Sequence, residues 1–274
     1  MAEDVTRIPA LSAGQPEQAT PEPPAPRPVA PHRERFLFIY GGLGAVLAGA
    51  IVGLVIFAGG AINPSPKWSA WKPSGGGDGA AKQIADHIAT AYRLPNGEQL
   101  VDVIAKAPSL SPATGGPIPL HYVALTGLRG APDRDYALSP SNSMMYSLCG
   151  LGTACSIASG KPSVARGTLV RREILELALY TFKYVGGIKQ VLAFIPPVAS
   201  KPAAAVYLQK SDLTAQLQVP LRETLGPKVP LPSTIPAREV HTIDATTERR
   251  VYKVVRVAQT PTGDAVLVLT PLTA

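Results

Sequence analysis

Two cysteines and three arginines are the residues whose types and spacing could do chemistry. Cys149 and Cys155 have five residues between them in LCGLGTACS. Two thiols are too few for a zinc site. On an oxidising side of a membrane they are expected to form a disulfide. Gly150 and Gly152 can supply the positive φ values that a tight loop requires. Closing so short a loop is worth roughly 2.4 kcal/mol by the chain-entropy argument. Arg166, Arg171 and Arg172 gather near the start of a long helical pattern. Cations there oppose the helix dipole by a few tenths of a kcal/mol. Glu173 and Glu176 can compensate, with Arg172 and Glu176 as an i,i+4 pair. The functional alternative is that the three arginines together hold an anion or an acidic partner.

Other chemistries fail on spacing. Gly160-Lys161 is followed by Pro162, and Cys155 stands where a phosphate loop needs its first glycine. There is no GxSxG elbow and no HExxH. His32, His87, His121 and His241 are scattered singly, and Asp133 and Asp135 flank Arg134 in a polar turn. No cofactor, metal site or catalytic residue is assigned.

The elements that must position these residues follow from periodicity. A helix is expected over 80–93, ended by Pro95, Asn96 and Gly97. Strands follow at 99–105 and 120–128, with an irregular stretch at 130–143. Met144 to Leu148 reads as a short buried strand running into the cysteine loop. A central helix is expected over 168–185. Val170, Ile174, Leu177, Ala178, Phe182 and Val185 line one side of it, and Leu169, Leu175 and Leu179 a second. Gly186 and Gly187 stop it. VLAFI at 191–195 is a buried strand, so strand, helix and strand form a βαβ unit. Another strand spans 204–209, and a helix from Ser211 or Asp212 to about Leu225 is interrupted at Pro220. A Pro-rich loop over 226–236 precedes a terminal hairpin, 250–259 and 265–270. Its first strand alternates, with Val251, Lys253, Val255 and Val257 on one face.

Upstream, FLFIYGGLGAVLAGAIVGLVIF from Phe36 to Phe57 carries no charge. At about 1.5 Å per residue it matches the ~30 Å core of a bilayer. Four segments are therefore expected: a disordered Pro-rich cytoplasmic tail (1–35, with PEPPAPRP at its centre), a single transmembrane helix (36–60), a Pro/Gly linker (61–79) and an exported domain (80–274). Arg33 and Arg35 put the N-terminus in the cytoplasm. Trp68, Trp71 and Tyr40 are candidate interfacial anchors. Gly41, Ala45, Gly49 and Gly53 recur every fourth residue and are the candidate face for a homodimer through the span.

The segment SLCGLGTACSIASGKPSVARGTLVRREILELALYTFKY, Ser147 to Tyr184, resembles part of uncharacterised single-span membrane proteins of high-GC bacteria. In that group a Pro-rich tail, one span and an exported domain recur in this order. The resemblance implies a cell-envelope location and no particular activity.

The formal net charge is +7. The tail carries four cations against five acids, so the excess lies downstream. Cations are not interleaved with aromatics in runs, which argues against nucleic acid. The expected class is thus a mixed α/β (α+β) exported domain on one spanning helix, single-pass in the cell membrane. It would be a non-catalytic scaffold or partner-binding module that meets the bilayer and an envelope protein or anionic polymer. The alternative is an envelope hydrolase whose site is assembled from distant residues.

Overall fold

The computed structural model describes residues 67–110, 116–128, 130–156, 161–198 and 202–272, with four single helical positions before them, Leu43, Val46, Leu47 and Ala50. The chain separates into two compact units, Met1–Ser65 and Pro66–Ala274, and all described strands belong to the second. Helix α1, Gly77–Ala91, buries Ala81, Ile84, Ala85 and Ile88, the stripe its spacing predicts. Strands β1 (Asp102–Lys106), β2 (Ser109–Leu110), β3 (Ile118–Leu125), β4 (Arg134–Ala137) and β5 (Ser143–Cys149) follow. Helix α2, Val164–Tyr184, starts where the Ser163 side chain accepts a hydrogen bond from the Arg166 amide. Next come β6 (Gln190–Phe194) and β7 (Ala204–Gln209). After a helical turn at 210–213, the short helices α3 (Thr214–Gln218) and α4 (Leu221–Thr224) are separated by Val219 and Pro220. Helix α5, Ala237–Thr247, leads to β8 (Val251–Gln259) and β9 (Ala265–Pro271).

The strands form one nearly closed, barrel-like sheet in the order β1-β5-β6-β7-β8-β9-β3-β2, with β4 also on β3. β5 and β6 are parallel neighbours joined through α2, so the expected βαβ unit is present. Alternate residues of the central strands serve two cores. Met144, Tyr146, Val191, Ala193, Val206 and Leu208 meet α1 and α2 on the outer face. Met145, Leu192, Ala205 and Tyr207 face inward onto Leu120, Val123, Leu267 and Leu269. Burial on both faces is why these strands read as unbroken apolar runs.

Several expectations change. Among the described residues no helix is long and apolar enough to cross a membrane, so the transmembrane helix expected as part of the fold is corrected. The longest described helix, α2, carries Arg166, Arg171, Arg172, Glu173, Glu176 and Lys183. Its apolar residues are used against the sheet and α1. Apart from the four helical positions, the stretch 36–60 lies outside the described residues. So do the tail at 1–35, Tyr40 and the small-residue face Gly41, Ala45, Gly49 and Gly53. Trp68 and Trp71, expected as interfacial anchors, have partners within the second unit. Trp68 packs edge-on against Tyr180 and Tyr184, and Trp71 stacks on His87 at 4.0 Å. The stretch 130–143 is not wholly irregular, because β4 adds to the edge of β3. On β8 a bulge between Val254 and Arg256 breaks the alternation, leaving Val255 and Val257 exposed.

The turn after α2 places Gly187 at φ 82°, and a Cβ there would stand 2.8 Å from the Ser141 carbonyl oxygen. Backbone cannot yield as a flexible side chain would, and the left-handed region disfavours any Cβ. Gly187→Ala should lower stability by about 1–3 kcal/mol. Urea denaturation of the full-length protein measures this, and an unchanged midpoint would refute the close approach.

Candidate functional site

Arg166, Arg171 and Arg172 all lie on the first turns of α2, yet they point to three different settings. Arg172 is 1% exposed. Its Nε donates to Glu239 Oε1 (2.7 Å), its Nη1 to Tyr92 Oη (2.5 Å) and Glu176 Oε2 (3.0 Å), and its Nη2 to the Gly226 carbonyl (2.9 Å). Tyr92 in turn donates to Glu176, and Glu239 also accepts from the Gly226 amide. Burial alone would lower the Arg172 pKa, but Tyr92, Glu176 and Glu239 outweigh it and raise it. With its donors engaged inside the fold, this guanidinium is not offered to an outside anion. Arg171 pairs with Asp244 of α5 at 2.7 Å and donates to Thr247 and Thr168. Arg166 is buried, and only its Nη1 has a side-chain bond, a long one of 3.3 Å to the Lys161 carbonyl.

The cysteines are joined, with their Cα atoms 4.4 Å apart. The loop closes on itself: Gly150 donates to the Cys155 carbonyl and Gly152 to that of Ser156. The positive φ falls on Cys155 (62°), while Gly152 is extended at −93°. The glycine role expected from sequence is therefore corrected. The left-handed residue of this turn is a cysteine, in a region that glycine adopts more readily.

A wide cleft among the described residues was not legible in the sequence. It occupies about 810 Å³ beside the inward core and is lined from β3, β4, β7 and the α5–β8 junction. Tyr207 and Tyr252 are buried in its floor, with Tyr136 beside them at 5.4 Å ring separation from Tyr207. Burial pushes the Tyr207 and Tyr252 phenols up, so both stay neutral at ordinary pH, and Tyr207 already donates to Gln190 Oε1 at 2.6 Å. Asp212 and Arg250 pair at 2.9 Å on its wall. Arg134 and Arg249 reach it from the exposed side with no ion-pair partner among the described residues. The cleft lining contains no serine, cysteine or histidine. Its residues span positions 125 to 271, so no local motif announces it.

The histidines stay apart. His87 stacks on Trp71, His121 lies 3.7 Å from Asp264, and His241 is exposed, while His32 lies outside the described residues. Asp133 accepts from the Gly127 amide, and Asp135 lies in β4. No group of three or more His, Cys, Asp or Glu gathers as a metal site among the described residues. No known family matches this chain, nor does any curated protein or solved structure.

Glu173 supplies a pH test. It is fully buried on α2, and neither carboxyl oxygen has a hydrogen-bond partner. Burial pushes its pKa well above the usual carboxylate range, Glu176 adds to this, and Arg172 opposes it. The folded acid therefore holds its proton at pH values where the unfolded chain has released it. Its contribution is complete below the unfolded pKa and is lost as pH rises toward the folded one. Glu173→Gln should stabilise the protein relative to wild type at pH 8 more than at pH 4. His87, whose pKa burial lowers, is common to both proteins and cancels in the difference. Denaturation midpoints at the two pH values decide it, and a gap independent of pH would refute a neutral buried acid.

Proposed function

We propose that this protein is a non-catalytic binding module of an oxidising, extracytoplasmic compartment, and that its ligand is an anionic, sugar-like polymer taken in the tyrosine-floored cleft. The observation that carries the reading is the cleft's chemistry. Tyr136, Tyr252 and Gln209 can meet hydroxyl groups, and Arg134 and Arg249 can meet carboxylates. The Cys149–Cys155 bridge supports the oxidising side. The hydrolase alternative finds two carboxylates here, Asp212 and Glu248. Asp212, however, is already engaged by Arg250 and by the Gln209 amide at 3.0 Å. That fixes it as an acceptor in the wall, which favours binding over acid catalysis.

Titration with polygalacturonate, followed by calorimetry, tests this. Arg134→Ala with Arg249→Ala should weaken binding about tenfold at low salt, by removing two charge-assisted contacts. Both positions are exposed, so the melting temperature should hold. A polyglutamate arm distinguishes an acidic protein partner, whose exclusive binding would refute the polymer reading. Release of shortened oligomers would refute the non-catalytic one.

The compartment has its own test. Non-reduced protein from its native host should be lighter than the reduced form by about 2 Da, the hydrogens lost on oxidation. Recovery of both cysteines as alkylatable thiols without reductant would count against the oxidising side.

A further inference from the structure

Two cations are buried among the described residues, Arg166 and Arg172. Arg172 is answered on every nitrogen. Arg166 is not: it is 9% exposed, and its Nε and Nη2 have no acceptor. A buried guanidinium left short of acceptors is unfavourable, and a carboxylate or phosphate group is well suited to answer one. Its position adds to the pull. It sits in the first turn of a 21-residue helix that has no carboxylate there, where the helix dipole favours negative charge.

The space around Arg166 is divided. The residue lines two adjoining grooves, and Ser163 lines both with it. One groove, of about 420 Å³, adds Lys161, Asn96 and Ser233. The other, of about 360 Å³, is walled chiefly by Val170, Ile195, Pro196, Val198, Val251 and Leu272. An apolar slot with a few placed polar groups at one end is the usual form of a small-ligand site. Glu248 lines the apolar groove from the exposed rim, and Arg171, which also lines it, is neutralised by Asp244. The unanswered charge at the buried end is therefore that of Arg166.

We propose that the Ser163–Arg166 end of α2 and the apolar groove behind it bind an anionic amphiphile, a carboxylate or phosphate head on a single hydrocarbon chain. Arg166 holds the head, and the groove takes the chain. This site is separate from the tyrosine-floored cleft, and either can fail without the other.

The groove can be closed without touching Arg166. Gly167 lines it, and a Cβ built there meets nothing within 4 Å. Gly167→Leu fills the slot and also raises helix propensity, so this variant should fold at least as well as wild type. The experiment follows fluorescence of cis-parinarate, a polyene fatty acid, with the full-length protein. Binding is expected, with displacement by oleate or dodecyl phosphate but not by inorganic phosphate or dodecanol. Tighter competition by oleate assigns a carboxylate head, and by dodecyl phosphate a phosphate head. Arg166→Gln should weaken binding about tenfold, and Gly167→Leu should remove the saturable component. The apolar stretch 36–60 is the same in all variants and contributes an equal background. Absence of saturable binding overturns the proposal, as does binding that both variants leave unchanged. Equal displacement by dodecanol would reduce the site to an apolar patch and overturn it too.

Discussion

The second unit is organised around one buried charge. Arg172 sits in the outer core among residues that are almost all apolar, where an unpaired cation would be strongly unfavourable. It is tolerated because four segments bring it acceptors. They are the end of α1 through Tyr92, α2 itself through Glu176, the loop at Gly226, and α5 through Glu239. Removing one partner of such a pair typically costs ~3–5 kcal/mol, since the other charge is left stranded. The arrangement thus sets where α5 and the 226–236 loop lie. Helix α5 buries Glu239, Ile243 and Thr247, a face with little apolar area of its own, so hydrophobic burial alone would hold it weakly.

That placement bears on both proposed binding sites. The α5–β8 junction supplies Glu248, Arg249 and Arg250 to the tyrosine-floored cleft, and Glu248 and Val251 to the groove near Arg166. Both are built largely on helix and strand. The cleft floor is barrel strand, and the groove is the first turns of α2 against the β6 exit and β8. Side chains held this way can present donors without reorganising first, which is how a binding surface keeps its affinity. The neighbouring Glu173, neutral and without partners, works against stability in the same helix. The Arg172 network and the two apolar cores must offset it.

A good part of this was legible in the chain. The spacing of Leu169 to Phe182 marks a helix buried on two sides, and its neighbours VLAFI and MMYSL mark strands buried on both faces. Together they give the parallel β5–α2–β6 unit. The cysteine pair is legible from composition alone. Edge strand β4 was not. RDYA has no apolar alternation, and it is a strand because β3 offers it an unpaired edge. Positions 237–249 carry little helical signal. Val240, Ile243 and Thr247 do recur at helical spacing after Pro236, a weak signal that could have found α5. The β8 alternation misled, because a bulge inserts a residue and period-two reasoning has no register for one.

Local sequence determined most of the elements, β4 and α5 aside, because periodicity, glycine stops and proline breaks act over a few residues. It also narrowed the arginines to one helix end. Tertiary structure decided what each arginine is for. Arg166, Arg171 and Arg172 lie within two turns, and nothing in their spacing tells them apart. Their roles depend on Asp244, Glu239, Gly226 and Tyr92, which are between 54 and 80 residues from Arg172 or on a helix that sequence did not reveal. Electrostatic partnership in a core is set by which segments the sheet and helices bring together. A long-range charge pair leaves no periodic trace in the chain, so only the fold could separate the structural cation, Arg172, from Arg166, whose Nε and Nη2 lack acceptors.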